Sequence, residues 1–139
     1  MNSPTRVQLL AGQTLGSAEN SFVIAEWSDP GAPSGSEASP PRWIAPLHLH
    51  RNDDEGWYVL EGKLCVKVGD DTVEVAAGAA VLVPRGTPHT YWNPDPAPVR
   101  YLLIMTPRIH QLIQAIHATQ DRTTDAMRAL FETYDSQLL

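Results

Sequence analysis

The chain has 139 residues, enough for one compact domain with a buried core and little more. Sixteen acidic residues against ten basic ones give a net charge of −6, which argues against nucleic-acid or polybasic membrane roles, because little here would neutralise phosphates. A lone cysteine, Cys65, excludes an internal disulfide framework and a thiolate zinc cluster. The opening residues lack a basic stretch followed by an apolar one, so a cytoplasmic protein without a signal peptide is expected. No apolar run approaches the roughly 18 residues that a membrane helix needs.

Residues 7–10 and 21–28 read as short strands separated by Gly- and Asn-containing turns. Residues 29–41 hold four prolines, two glycines and three serines, a composition that reads as a surface loop within one domain. From 42 to 105 the chain is a succession of short strand-like runs at 42–50, 57–60, 64–68, 73–75, 79–83, 89–92 and 99–105. Gly69-Asp70-Asp71 supplies a hairpin turn, and Pro46, Pro84, Pro88, Pro94, Pro96 and Pro98 fall at the boundaries, where proline ends strands rather than breaking them. Turn signals every 8–12 residues or so are the pattern of an all-β sandwich or barrel.

The texture changes after Met105. Thr106 is a helix N-cap with Pro107 at the first helical position, and Ile109, Leu112, Ile113 and Ile116 follow helical spacing. A second stripe, Met127, Leu130, Phe131 and Tyr134, starts after residues 121–124. Both stripes read as ordinary core or dimer surface. His110 and His117 fall on the opposite, solvated face with Gln114. Residues 1–106 are thus expected to form a β-barrel, and 107–139 a helical extension of the same domain.

The chemistry concentrates in His48-Leu49-His50-Arg51-Asn52-Asp53-Asp54-Glu55. Residues two apart in a strand face the same way, so His48 and His50 project together. Glu55 can return from the next strand as a third ligand, and His89, after Pro84-Arg85-Gly86-Thr87-Pro88, is available as a fourth. Three imidazoles and a carboxylate suit one divalent transition metal (Fe, Mn, Ni, Co, Cu or Zn) and fit Ca²⁺ or Mg²⁺ poorly.

The wider pattern resembles the cupin superfamily. Its first motif, G-x5-H-x-H-x(3,4)-E-x6-G, is met by His48, His50, Glu55 and Gly62, and its second, G-x5-P-x-G-x2-H-x3-N, by Gly78, Pro84, Gly86, His89 and Asn93. The one departure is Arg42, which stands where the first motif has glycine. Fifteen residues, 63–77, separate the motifs, the short spacing of small single-domain bacterial cupins of the quercetin-dioxygenase-like, cupin-2 type. The resemblance implies a double-stranded β-helix, or jelly-roll, of six to eight strands, with His48, His50, Glu55 and His89 as metal ligands inside it and a homodimer as the assembly.

Strand parity then suggests the pocket. Glu55 brings Trp57 and Val59 to the interior, His89 brings Tyr91, and His48 brings Ile44, with Arg42 as well if that strand is regular. Either Tyr101, Leu103 and Met105 or Leu102 and Ile104 complete the wall. Such a cavity suits a neutral or aromatic small molecule better than a phosphosugar. Glu55 and Tyr91 are the candidate catalytic groups. Cys65, on the parity of Lys63 and Lys67, reads as a bystander. The leading expectation is a mononuclear metal-dependent oxygenase. The alternatives are a metal-dependent isomerase, hydrolase or decarboxylase and a non-catalytic small-molecule-binding module.

Overall fold

The computed structural model describes residues 4, 6, 14–31 and 41–139. The strand expected at 7–10 and most of the proline-rich segment 29–41 lie outside the described residues. In chain order the elements are β1 (Thr14–Leu15), β2 (Val23–Asp29), β3 (His48–His50), β4 (Glu55–Glu61), β5 (Lys63–Val68), β6 (Asp71–Ala76), β7 (Ala80–Val83), β8 (His89–Trp92), β9 (Val99–Met105), α1 (Pro107–Ala118), α2 (Thr124–Thr133) and β10 (Ser136–Leu138). They form two five-stranded sheets, ordered β1-β2-β9-β4-β7 and β10-β3-β8-β5-β6. Every pairing is antiparallel. This is a jelly-roll β-sandwich carrying two helices near its C-terminus.

The strand faces follow the hydrophobic alternation. Along β9, Val99, Tyr101, Leu103 and Met105 are buried while the residues between them are half-buried, so the odd-numbered set, not Leu102 and Ile104, faces inward. Paired on either side are β2, which contributes Val23 and Ala25, and β4, which contributes Trp57 and Val59. The facing sheet adds Leu64, Val66, Val75 and Tyr91. Burying each large apolar side chain contributes about 1.5–3 kcal/mol relative to leaving it exposed.

The turn from β4 to β5, which carries the chain from one sheet to the other, depends on Gly62. Its φ is +77°, and a Cβ there would stand 2.5 Å from the Pro98 carbonyl oxygen. Neither the backbone angle nor the space admits a larger residue.

Two departures from the sequence expectations matter for the site. The run 42–50 is not one strand, because only His48–His50 pairs. Upstream, Ile44 N–H donates to the Tyr91 carbonyl over 2.8 Å, and Arg42 turns outward onto Asp29 at 2.8 Å. Strands also exceed the six to eight expected, through the two-residue β1 and the three-residue β10.

β10 is reached through a sharp reversal. α2 ends at Tyr134, and Asp135 takes a positive φ of 57°, a conformation that Asp tolerates better than most residues. The last residues then lie antiparallel along β3, with Ser136 opposite His50 and Leu138 opposite His48. α1 begins as expected: the Thr106 side chain accepts from Ile109 N–H over 3.3 Å, with Pro107 in the first turn. Neither helix is long and apolar enough to cross a membrane.

Candidate metal centre

Three elements bring the four expected ligands together. His48 and His50 sit two apart on β3, and the register places His89 of β8 directly opposite His48. Glu55, the first residue of β4, arrives from the other sheet. All four are buried, at 6, 3, 5 and 1% exposure for His48, His50, Glu55 and His89. One ligand atom from each lies within 4.8 Å of every other. His48 Nε2 and His50 Nε2 are 3.2 Å apart, and Glu55 Oε1 lies 3.2 Å from His50 Nε2 and 3.1 Å from His89 Nε2. Ligands bonded at about 2.1 Å to one ion stand roughly 3.0 Å apart at a right angle and roughly 3.4 Å apart at a tetrahedral one. The three spacings of 3.1–3.2 Å fall in this range.

The outer nitrogens decide what the inner ones can do. His48 Nδ1 lies 2.6 Å from the Pro46 carbonyl oxygen and His89 Nδ1 2.9 Å from that of Thr87. A carbonyl only accepts, so both Nδ1 atoms carry the hydrogen. His50 Nδ1 lies 2.7 Å from Ser136 Oγ, whose own hydrogen goes to the Tyr134 carbonyl at 3.2 Å, so it too donates. In the neutral rings all three Nε2 atoms therefore present lone pairs to one another and to the Glu55 carboxylate. Four acceptors converge with no donor among them, an arrangement that a divalent cation satisfies and that costs free energy without one. The residues fit a metal.

Charge regulation points the same way. Burial, reinforced by His89 and His50, lowers the His48 pKa to about 3, so this ring stays a neutral ligand at ordinary pH. Burial acts to raise the Glu55 pKa, and the His50 and His89 rings hold the carboxyl below its usual range only when they are protonated and donate to it.

Above these residues is a cavity of about 190 Å³. His48, His50 and Glu55 open onto it, with Ile44, Tyr91, Tyr101 and Leu103 from the barrel. Ile109, Leu112, Ile113 and Ile116 of α1 and Phe131 of α2 line it as well. Phe131 stacks edge-on against the His48 ring at 5.5 Å. The apolar stripe of α1, read from sequence as ordinary core or dimer surface, is thus part of the site wall. His117, expected on a solvated face, is exposed but stands at the rim with its ring edge-on to Trp27 at 5.4 Å.

Three residues expected on the wall are elsewhere. Arg42 is outside, since residues 41–47 do not continue the strand that parity required. Trp57 and Val59 do face inward but are packed into the core at 1 and 0% exposure, with the Trp57 ring edge-on to His89 at 5.8 Å and to Tyr91 at 5.3 Å. They support the site from behind. Cys65 is buried away from it, and burial raises its thiol pKa. A wider groove of about 670 Å³ runs past Phe22, Leu82 and Ile104 and reaches Glu55 and Trp57, but none of the three histidines lines it.

The sequence offers no signal that Trp27, Phe131 and Ser136 belong to the site, although Phe131 is part of the second helical stripe. Trp27 belonged to a predicted strand whose facing partner was unknown, and Phe131 and Ser136 reach the site only because the C-terminal segment folds back.

A family model for the cupin domain matches residues 36–105. A quercetin 2,3-dioxygenase of Bacillus subtilis is 39% identical over 46 residues, covering 33% of this chain and 14% of that protein. Among solved structures, a cupin protein from Bacteroides fragilis superposes with a TM-score of 0.58 at 14% identity, over 76% of this chain and 86% of that one. A putative sugar phosphate isomerase from Acidithiobacillus ferrooxidans gives a TM-score of 0.51 at 22% identity, over 63% and 51%. At these identities the structural matches show a shared fold. The chain spans about one seventh of the dioxygenase's length and about half of the isomerase chain's.

Proposed function

Because this chain belongs to the cupin family, we propose that it is a mononuclear metal-dependent oxygenase acting on a small aromatic or otherwise apolar molecule. His48, His50, Glu55 and His89 hold the ion in this reading, and the observation that carries it is their convergence beneath a cavity with no Lys or Arg among its described lining residues. A bound divalent transition metal would supply Lewis acidity and coordination positions for substrate and O₂.

The chain's own groups have distinct tasks. Ile109, Leu112, Ile113 and Phe131 exclude water from the space over the imidazoles. Glu55, which lines the cavity, is placed to take a proton from a bound hydroxyl. Tyr91 serves as a hydrogen-bond donor rather than a base, since burial raises its pKa. Partial similarity to the quercetin dioxygenase supports oxygen chemistry. The likeness to the sugar phosphate isomerase is one of fold, and the described wall residues offer a phosphate no Lys or Arg.

The test is metal analysis of unchelated protein followed by oxygen uptake with a panel of aromatic compounds. We expect close to one redox-active transition metal per chain and uptake that His89→Ala abolishes. Zinc alone, with turnover but no oxygen consumption, would favour the Lewis-acid alternative of isomerase, hydrolase or decarboxylase. A firmly bound metal with no turnover would favour a binding module.

A further inference from the structure

Volume sets the first limit on what the cavity holds. At about 190 Å³ it is close to an apolar protein cavity of about 150 Å³ that takes up benzene. It falls below the roughly 300 Å³ where pockets for drug-sized ligands begin. The cavity encloses one ring and a few substituents, and a three-ring flavonol would have to protrude from its mouth.

Polarity sets the second. The Tyr91 and Tyr101 hydroxyls are 3.0 Å apart. Two hydroxyls carry two hydrogens, and the bond between them uses one. The other has no acceptor among the described residues, and both tyrosines line the cavity. Trp27 Nε1 is likewise buried without a partner, and Trp27 lines the same space. A buried donor left unsatisfied costs about 1–3 kcal/mol, so the cavity favours a ligand that brings acceptors. Burial raises the pKa of both phenols, which keeps them donors. With no Lys or Arg among the described wall residues, only an ion held by the His48, His50, Glu55 and His89 group would offset a ligand's charge, which disfavours a ligand with several negative charges.

We propose that the cavity takes a single-ring, uncharged molecule bearing at least two oxygen acceptors, one directed at the His48, His50, Glu55 and His89 group and another at the Tyr91–Tyr101 hydroxyl pair. The inference rests on the metal-centre reading for its first contact and on cavity volume and unpaired donors for the rest. Size separates it from the flavonol substrate that the dioxygenase relative's name suggests.

The experiment measures binding of three probes by calorimetry, with metal content determined on the same samples. Catechol is the single-ring probe. Quercetin carries the same catechol group on a three-ring frame and so isolates size, and glucose 6-phosphate tests charge. Catechol should bind at least tenfold more tightly than either. Y91F/Y101F should weaken catechol about tenfold with metal content unchanged. Ile113→Trp, at a half-buried position of α1, should abolish catechol binding by filling the space, and it keeps the inference testable if the double variant does not fold. Quercetin binding as tightly as catechol, or catechol indifferent to both variants, overturns the ligand class while leaving the metal reading intact. Protein that takes up no metal overturns the metal reading, and the catechol-to-quercetin ratio still decides the ligand class.

Discussion

His50 Nδ1 donates to Ser136 Oγ over 2.7 Å across 86 residues of chain, with the two residues directly opposite on β3 and β10. The last strand thus closes one edge of a sheet and fixes a ring of the candidate metal centre. Ser136 is fully buried, and its hydroxyl has one hydrogen, which goes to Tyr134 O. It is left to accept from His50 and so keeps the lone pair on Nε2. Hydrogen-bond partners of this kind are typically worth about 10–100-fold in metal affinity. Ser136→Ala should therefore weaken metal binding by at least tenfold in competition with a chelator and change the visible absorption of the cobalt-loaded protein. Ser136→Thr should restore both. Unchanged affinity in Ser136→Ala would show that the ring needs no such anchor.

Acid should unfold the metal-free protein earlier than its carboxylates alone would require. The His48 pKa is about 3 when folded, against an ordinary 6.5, chiefly through burial. Between those values the unfolded chain binds the additional proton, so stability is complete above about pH 6.5 and is lost as pH falls toward 3. Glu55 adds to the loss at the acid end, because its carboxyl pKa is depressed in the fold. Together the two contribute a loss on the order of several kcal/mol. Urea midpoints of chelator-treated protein should be level from pH 8 to 7 and decline steadily below 6.5. A flat profile down to pH 4.5 contradicts this.

Gly62→Ala and Gly69→Ala separate two costs that a positive φ can carry. Both glycines adopt one, at +77° and +60°, but Gly69 has nothing within 4 Å of an added Cβ, whereas Gly62 would press on the Pro98 oxygen. Gly69→Ala should lose about 1–2 kcal/mol from the backbone conformation alone. Gly62→Ala should lose clearly more and lower the melting temperature further. Equal losses would mean that the β4–β5 turn relaxes around the methyl group.

The ligand set was legible because it is local: His-x-His on one strand face and Glu five residues on are fixed by a period of two and a short turn. His89 was legible through the proline and glycine spacing that leads into β8. Parity also gives the interior faces of β4 and β8, but not how far the barrel is filled, so it places Trp57 and Val59 on a wall that in the structure lies above them. Arg42 was misplaced because Pro46 ends the regular strand before parity can reach it. The covering of the mouth was not legible. α1 has the same stripe whether it packs on a core, a partner or a cavity, and nothing near Ser136 announces a strand partner 86 residues earlier.

That covering is tied down by one ion pair in particular. Asp53, in the turn between β3 and β4, is 7% exposed at its side chain and receives Arg108 of α1 through two bonds of 2.7 and 3.1 Å. Arg108 also reaches Asp135 at 3.3 Å, at the reversal into β10. Because the guanidinium is 44% exposed, its truncation lets water in on one side. The buried carboxylate nonetheless loses both bonds. Arg108→Ala should therefore cost about 1–3 kcal/mol, more than the 0–1 kcal/mol or so of an exposed pair. Arg85→Ala provides the comparison, since its partner Asp54 is 43% exposed at the side chain. Thermal melts of the two variants should differ accordingly. Hydrogen exchange should also quicken in α1 and β10 of Arg108→Ala while β5 and β9 keep their protection. Exchange unchanged in α1 would show that its apolar face alone holds the helix over the cavity.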